Sequence, residues 1–279
     1  YTYYFAFNLE DDILGNVLVR QAIAYAIDTN EIVEKVAPST AQPAEGPVSA
    51  SREYYNPDIR PYYPQNIEKA NELLDEAGYP KGADGIRFSK RIYCDSSRTF
   101  LVKTIEIIKE QLKLVGIDAK IQPMELALAG DKVWIQKDFD MWTHPYSVLY
   151  PTEFTFNRYL ASSAITGKKW SNGWGYSNPE FDDLLDKGLL AETAEKRLPG
   201  VYRLQEILAE ELPMYFLMEG RQLITAYNKD WVDIVQGPFA LNGPINDGYW
   251  IHGTLPTPEP TPVPIVGETG DTGAAGAAG

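Results

Sequence analysis

A chain of 279 residues, 44% hydrophobic and 23% charged, has ordinary globular composition and room for one large core or two smaller ones. Its 39 acidic and 25 basic side chains leave a net charge of −14, which repels phosphate backbones and anionic membrane surfaces and excludes nucleic acid as a partner. No stretch approaches the ~18 apolar residues that span a bilayer.

The opening run, Tyr1-Thr2-Tyr3-Tyr4-Phe5-Ala6-Phe7-Asn8, reads as a strand already under way with no signal segment before it, so the chain is expected to begin inside a longer protein. Asn16 caps a helix with Val17, Ala22, Ile23, Ala26 and Ile27 on one face. The capping-box pattern Asp28-Thr29-Asn30-Glu31 starts a second, ending near Val36. Residues 37–65, rich in proline, serine, asparagine and tyrosine, predict a long irregular loop, functional or pinned against another lobe. Asn66 caps the next helix (Ile67, Ala70, Leu73, Leu74, Ala77), and Gly78 ends it.

Residues 86–94 predict a strand, Ser96 or Ser97 a helix start with Leu101, Ile105, Ile108, Leu112 and Val115 inward, and 117–122 a further strand. Such a βαβ unit predicts a partly parallel sheet covered by helices. The single cysteine, Cys94, has no partner for a disulfide or thiolate metal site and reads as a small buried hydrophobe. A helix over about 125–136 and a short strand over 139–142 follow. The two histidines, His144 and His252, are too few and too distant for a metal centre.

The pattern loosens over 143–177, where Gly173-Trp174-Gly175 reads as a tight turn with an anchoring ring. Asn178-Pro179 opens another helix with Phe181, Leu184, Leu185 and Leu189 inward. The next, 193–212, has Tyr202, Ile207 and Leu208 as core and a break or kink expected at Pro199-Gly200. Strands at 214–218 and 222–227 complete the lobe. From Thr254 a proline-rich spacer leads to glycine at every third position from Gly267 to Gly279. That period matches collagen, but the run is short and lacks proline, so it reads as a flexible tether.

Five segments in order carry a family resemblance. They are Arg20-Gln21-Ala22-Ile23-Ala24-Tyr25-Ala26-Ile27-Asp28, Lys69-Ala70-Asn71-Glu72-Leu73-Leu74-Asp75-Glu76-Ala77-Gly78-Tyr79, Gln111-Leu112 with Val115-Gly116-Ile117, Ser177-Asn178-Pro179-Glu180-Phe181-Asp182, and Glu210-Glu211-Leu212-Pro213. Over roughly residues 1 to 250 the chain resembles the extracellular solute-binding proteins of family 5, the peptide/nickel class of ABC transporter substrate-binding proteins. Taken singly, these segments are ordinary helices and caps. Arg20 and Asp28 are expected to make surface or interdomain ion pairs.

The resemblance implies an α/β fold, a periplasmic-binding-protein-like type II lobe with a mixed sheet flanked by helices, and a first lobe largely missing. Residues 1–235 would be the second lobe, 236–253 a return segment to the first, and 254–279 the tether. It implies binding rather than catalysis, with no cofactor, metal or catalytic residue. A hydrolase reading finds no Gly-x-Ser-x-Gly elbow and no isolated acid pair. The implied work is capture of oligopeptides outside the membrane, in the periplasm or at the cell surface, and delivery to ABC permease subunits. The alternatives are an oligosaccharide ligand, or a sensory or structural protein reusing the lobe. A monomer, membrane-anchored in its full-length form, is expected, and one lobe alone should bind weakly because closure needs two.

Family members carry a tryptophan followed closely by an acidic residue that grips a peptide's amino terminus. Here the segment is Met141-Trp142-Thr143-His144-Pro145-Tyr146, which keeps the tryptophan and has His144 and Pro145 near the acid's position. The ligand-binding candidates are Trp142, Thr143, His144, Tyr146, Trp170, Asn172 and Asn8. Aromatics interleaved with asparagine and serine suit stacking on sugar rings or peptide side chains. Trp142 reads equally well as a core residue.

Overall fold

The opening apolar run forms strand β1, Thr2–Phe7, and is almost wholly buried because it becomes a middle strand of a sheet. In the computed structural model the described residues are 2–50, 54–59, 63–146, 152–190, 193–220, 232–235 and 252–254. They fall into two units, Tyr1–Leu223 and Ile224–Gly279. In the second unit, β7 (Val232–Val235) pairs antiparallel with β8 (His252–Thr254). The expected strand at 222–227, most of the segment 236–253 and the tether beyond Thr254 lie outside the described residues.

The first unit runs α1 (Val17–Ala26), α2 (Thr29–Val36), β2 (Ala41–Pro43), α3 (Ile67–Glu76), β3 (Phe88–Asp95), α4 (Thr99–Leu114), β4 (Ile117–Met124) and α5 (Leu126–Gly130). A π-helical turn, Asp131–Gln136, continues α5; then come β5 (Met141–Tyr146), α6 (Thr152–Leu160), α7 (Pro179–Leu190), α8 (Ala194–Glu211) and β6 (Met214–Gly220). The six strands of this unit lie in the order β2-β6-β1-β5-β3-β4. β3 is parallel to both β4 and β5, whereas β1 is antiparallel to β5 and β6. The sheet is therefore mixed, with the expected βαβ unit at one side.

Three caps form as read from the sequence. The Asn16, Asp28 and Asn66 side chains accept from backbone N–H groups of the first turns of α1, α2 and α3. The capping box at α2 is opened by an outsider. Gln111 of α4 accepts from the Asp28 N–H at 3.2 Å and donates to the Glu31 carboxylate at 2.6 Å, standing between the two residues that would otherwise close the box.

Four expectations are corrected. Arg20 makes no pair with Asp28; it is 5% exposed and donates to the carbonyls of Leu14, Gly15, Glu211 and Leu212. It thus closes the carboxy-terminal end of α8, where Leu212 turns left-handed (φ 44°). Burial lowers its guanidinium pKa to about 10, opposed by the nearby Glu211 charge, so it remains a cation at neutral pH. Glu211 also accepts from Tyr176 Oη at 2.6 Å and Asn178 Nδ2 at 2.8 Å. Three of the five resembling segments thus meet at one joint.

Helix α8 runs unbroken through Pro199, which is exposed, so the carbonyl it deprives of a donor faces water. Helix α4 starts at Thr99 rather than beside Ser96 or Ser97, because Asp95 folds the intervening turn by accepting from the Ser97 N–H at 3.0 Å. The long loop gives an edge strand to the sheet at Ala41–Pro43. It is pinned to α8 of its own unit: Gln205 donates to Tyr54 O at 2.7 Å and accepts from the Asn56 N–H at 3.2 Å.

Candidate ligand-binding site

Strand order locates the crevice. The chain passes from β3 through α4 to β4 on one side, then returns to place β5 on the other side of β3. Crossovers between parallel strands keep one hand, so this reversal puts α4 and the α5 segment on opposite faces. The carboxyl ends of the strands at such a reversal part to leave a crevice, the favoured ligand position in open α/β sheets. Here those ends are Asp95 of β3 and residues 144–146 of β5.

A cluster of rings lies beside this point. Trp142 and His144 project from the same face of β5 and stack at 5.3 Å with planes 16° apart. The π-helical turn brings Trp134 edge-on to Trp142 at 5.8 Å. Trp170 tilts against Trp134 at 4.6 Å and His144 at 5.2 Å, from a left-handed backbone (φ 65°) that a tryptophan seldom adopts. Trp134 is held by its Nε1–H, which donates to Ser171 O at 3.1 Å. Gly173 permits that close fit, since a Cβ there would stand 2.6 Å from Trp134 Cδ1.

Three buried polar atoms of β5 are unpaired, two in this cluster and one on the opposite face. Trp142 Nε1, Thr143 Oγ1 and His144 Nδ1 are buried without a hydrogen-bond partner among the described residues. Burial lowers the His144 pKa to about 4, with Arg98 acting in the same direction and Asp95 opposing, so the imidazole is neutral at physiological pH. The neutral ring does not titrate near pH 7 as an exposed histidine would.

The other candidates separate. Thr143 lies one residue out of phase with Trp142 and His144, opposite Phe5 and Cys94 on the far face of the sheet. Tyr146 ends β5 at the crevice. Asn172 is 1% exposed, and its amide donates to Leu160, Ala161 and Tyr176 carbonyls and accepts from the Tyr176 N–H. Asn8 donates to Lys137 and Phe139 carbonyls and accepts from the Glu10 N–H. Both asparagines are fastened within the fold. Trp174 anchors its turn, donating to Tyr159 O at 2.8 Å and packing on Tyr4. Cys94 is buried, which pushes its thiol pKa up to about 12 and leaves it unreactive.

Trp134, Asp95 and Arg98, which the sequence reading does not single out, act on or pack against Trp142 and His144. The last two were within reach, because they follow the first strand of the βαβ unit, where the crevice rule points. Trp134 gave no signal, since a tryptophan in a helical segment reads as core.

With this geometry in hand, the model for bacterial extracellular solute-binding proteins, family 5 (middle region), matches residues 1–168. The chain belongs to this family. It is similar to the glutathione-binding protein GsiB of Escherichia coli (strain K12), 26% identical over 234 residues covering 81% of this chain and 44% of that protein. The periplasmic binding protein DppA of Helicobacter pylori, solved with the peptide STSA, is 28% identical with a TM-score of 0.69, covering 78% of this chain and 41% of that one. The oligopeptide-binding protein AppA of Bacillus subtilis, solved with a nonapeptide, is 26% identical with a TM-score of 0.69, covering 78% and 44%. The chain therefore spans under half the length of the family 5 proteins it matches. The fold is that of a partial lobe, a mixed sheet flanked by helices, as expected. Among the described residues no helix is long and apolar enough to cross a membrane, and no cluster of His, Cys, Asp or Glu has metal-holding geometry.

Proposed function

We propose that this chain is one lobe of a solute-capturing protein that closes over an oligopeptide outside the membrane and hands it to the permease of an ABC importer, without transforming it. The observation that carries the reading is the pair of unpartnered polar atoms on Trp142 and His144, buried among aromatic rings next to the strand reversal of a family 5 lobe. Buried polar groups are nearly always satisfied, and the exceptions call for an explanation. A ligand supplies one. Trp142, His144 and Trp170 would form the wall, with Tyr146 at its edge and Thr143 behind the sheet. Asn8 and Asn172 would act at one remove, by holding the segments that carry those residues.

The peptide ligands named for DppA and AppA favour an oligopeptide. An oligosaccharide is the second reading, favoured by the aromatic wall and by a neutral imidazole rather than a carboxylate beside Trp142. In the full-length protein an anchor at the outer face of the membrane would keep the lobe near its permease, and the monomer would suffice.

Mass spectrometry of small molecules retained by the purified full-length protein tests the reading. A retained peptide, with saturable calorimetric binding and no product on prolonged incubation, is the expected result. Hydrolysis of that ligand, or loss of no affinity on Trp142→Ala, would refute it.

A further inference from the structure

The chemistry of the cluster restricts what it accepts, provided that it is a ligand wall as proposed above. Trp142 is fully buried and His144 is 5% exposed, yet indole Nε1 and imidazole Nδ1 both stand without a partner among the described residues. Indole nitrogen is a donor with no acceptor capacity, so whatever answers it has to bring an acceptor. A primary ammonium has three donors and no acceptor, and leaves that N–H as unsatisfied as before.

Aromatic boxes can hold cations over their ring faces, and this one is built otherwise. Trp142 and His144 cover each other face to face, and Trp170 leans over both Trp134 and His144. Trp142 and His144 cover each other's facing sides, and the cation–π attraction left on the half-buried Trp170 is smaller than the cost of burying an ammonium with no free carboxylate. The charges acting on His144 are those of Arg98 and Asp95. Asp95 is already engaged by the Ser97 N–H, the Ser97 hydroxyl and Arg98 Nε. The pair is neutral overall and offers an incoming cation no free anion.

We propose that the cluster of Trp134, Trp142, His144 and Trp170 is a subsite for an uncharged group presented through an acceptor oxygen, an amide carbonyl or a hydroxyl, and that it excludes a primary ammonium. A peptide bound here enters by its backbone or a blocked end rather than by a free amino terminus, and a sugar enters by a hydroxyl.

The test is a titration of the full chain, labelled with nitrogen-15, against butyramide, butylammonium and a methyl glucoside. Nuclear magnetic resonance at millimolar probe concentrations reads the Trp142 indole, assigned through Trp142→Phe, and the His144 imidazole. The expected result is a shift of both signals by butyramide or the glucoside, with butylammonium at least about tenfold weaker. Which uncharged probe binds more tightly separates the amide source from the hydroxyl source. Equal or tighter binding of butylammonium would overturn the exclusion and leave the ligand wall standing. No shift with any probe would overturn the wall and the exclusion with it. His144→Asp, in a variant that keeps the native spectrum elsewhere, is expected to improve butylammonium binding by about fivefold or more; unchanged selectivity in that folded variant also counts against the proposal.

Discussion

Two buried polar regions of the same lobe are treated in opposite ways. Around Arg20 the guanidinium donates to four carbonyls, two of them at the end of α8, and the adjacent Glu211 gathers Tyr176 and Asn178. Around His144 the imidazole Nδ1 and the neighbouring indole N–H meet no protein group among the described residues. The central side chains of both regions, Arg20 and His144, are buried, and only one set is complete. A satisfied network fixes the chain to itself, while an unsatisfied one costs stability and calls for an explanation of its own.

The largest expected effect breaks the complete side. Arg20→Met leaves four carbonyls without their donor, and a loss of about 4 kcal/mol in urea unfolding is expected. A loss below about 1 kcal/mol would mean that the joint is ornamental.

Next is the acid response of the incomplete side. Burial depresses the His144 pKa from 6.5 to about 4, so the unfolded chain takes up the proton first as pH falls. Stability is untouched above pH 6.5 and is lost progressively between there and about pH 4, to a total of about 3 kcal/mol. His144→Phe removes this dependence, and the carboxylates common to both proteins cancel in the difference. Urea midpoints of the two at pH 7, 5 and 4 should therefore diverge, with the variant gaining on the parent as the solution becomes more acid.

Asn172→Ala should cost about 2–3 kcal/mol, because three carbonyls and one N–H lose their partner inside the turn that carries Trp170 and Trp174. Asp28→Ala is expected to lose about 1 kcal/mol, the ordinary value of a helix cap. If it cost as much as Arg20→Met, the contrast between cap and joint would vanish.

What the sequence disclosed was local. Caps at Asn16, Asp28 and Asn66, the helix stops and the βαβ unit depend on a few neighbouring residues, and they were legible. Arg20 was misread because two of its four carbonyl partners lie at residues 211 and 212, and nothing in its own helix announces them. Trp142 and His144 are candidates by resemblance alone. The company they keep was not legible, since Trp134 arrives on a π-helical turn and Trp170 on a left-handed residue, two backbone states without a sequence signature here. Thr143 could have been set apart beforehand, for strand alternation alone turns it away from its neighbours.

Strand β1 has a consequence for how the lobe comes together. Thr2 pairs with Tyr146 on one side and Glu219 on the other. A middle strand therefore waits for partners that follow it much later in the chain, with both its edges and its aromatic side chains open in the meantime. Such long-range pairing belongs to the slow end of folding, in milliseconds to seconds, and leaves an interval in which another chain can take the vacant edge.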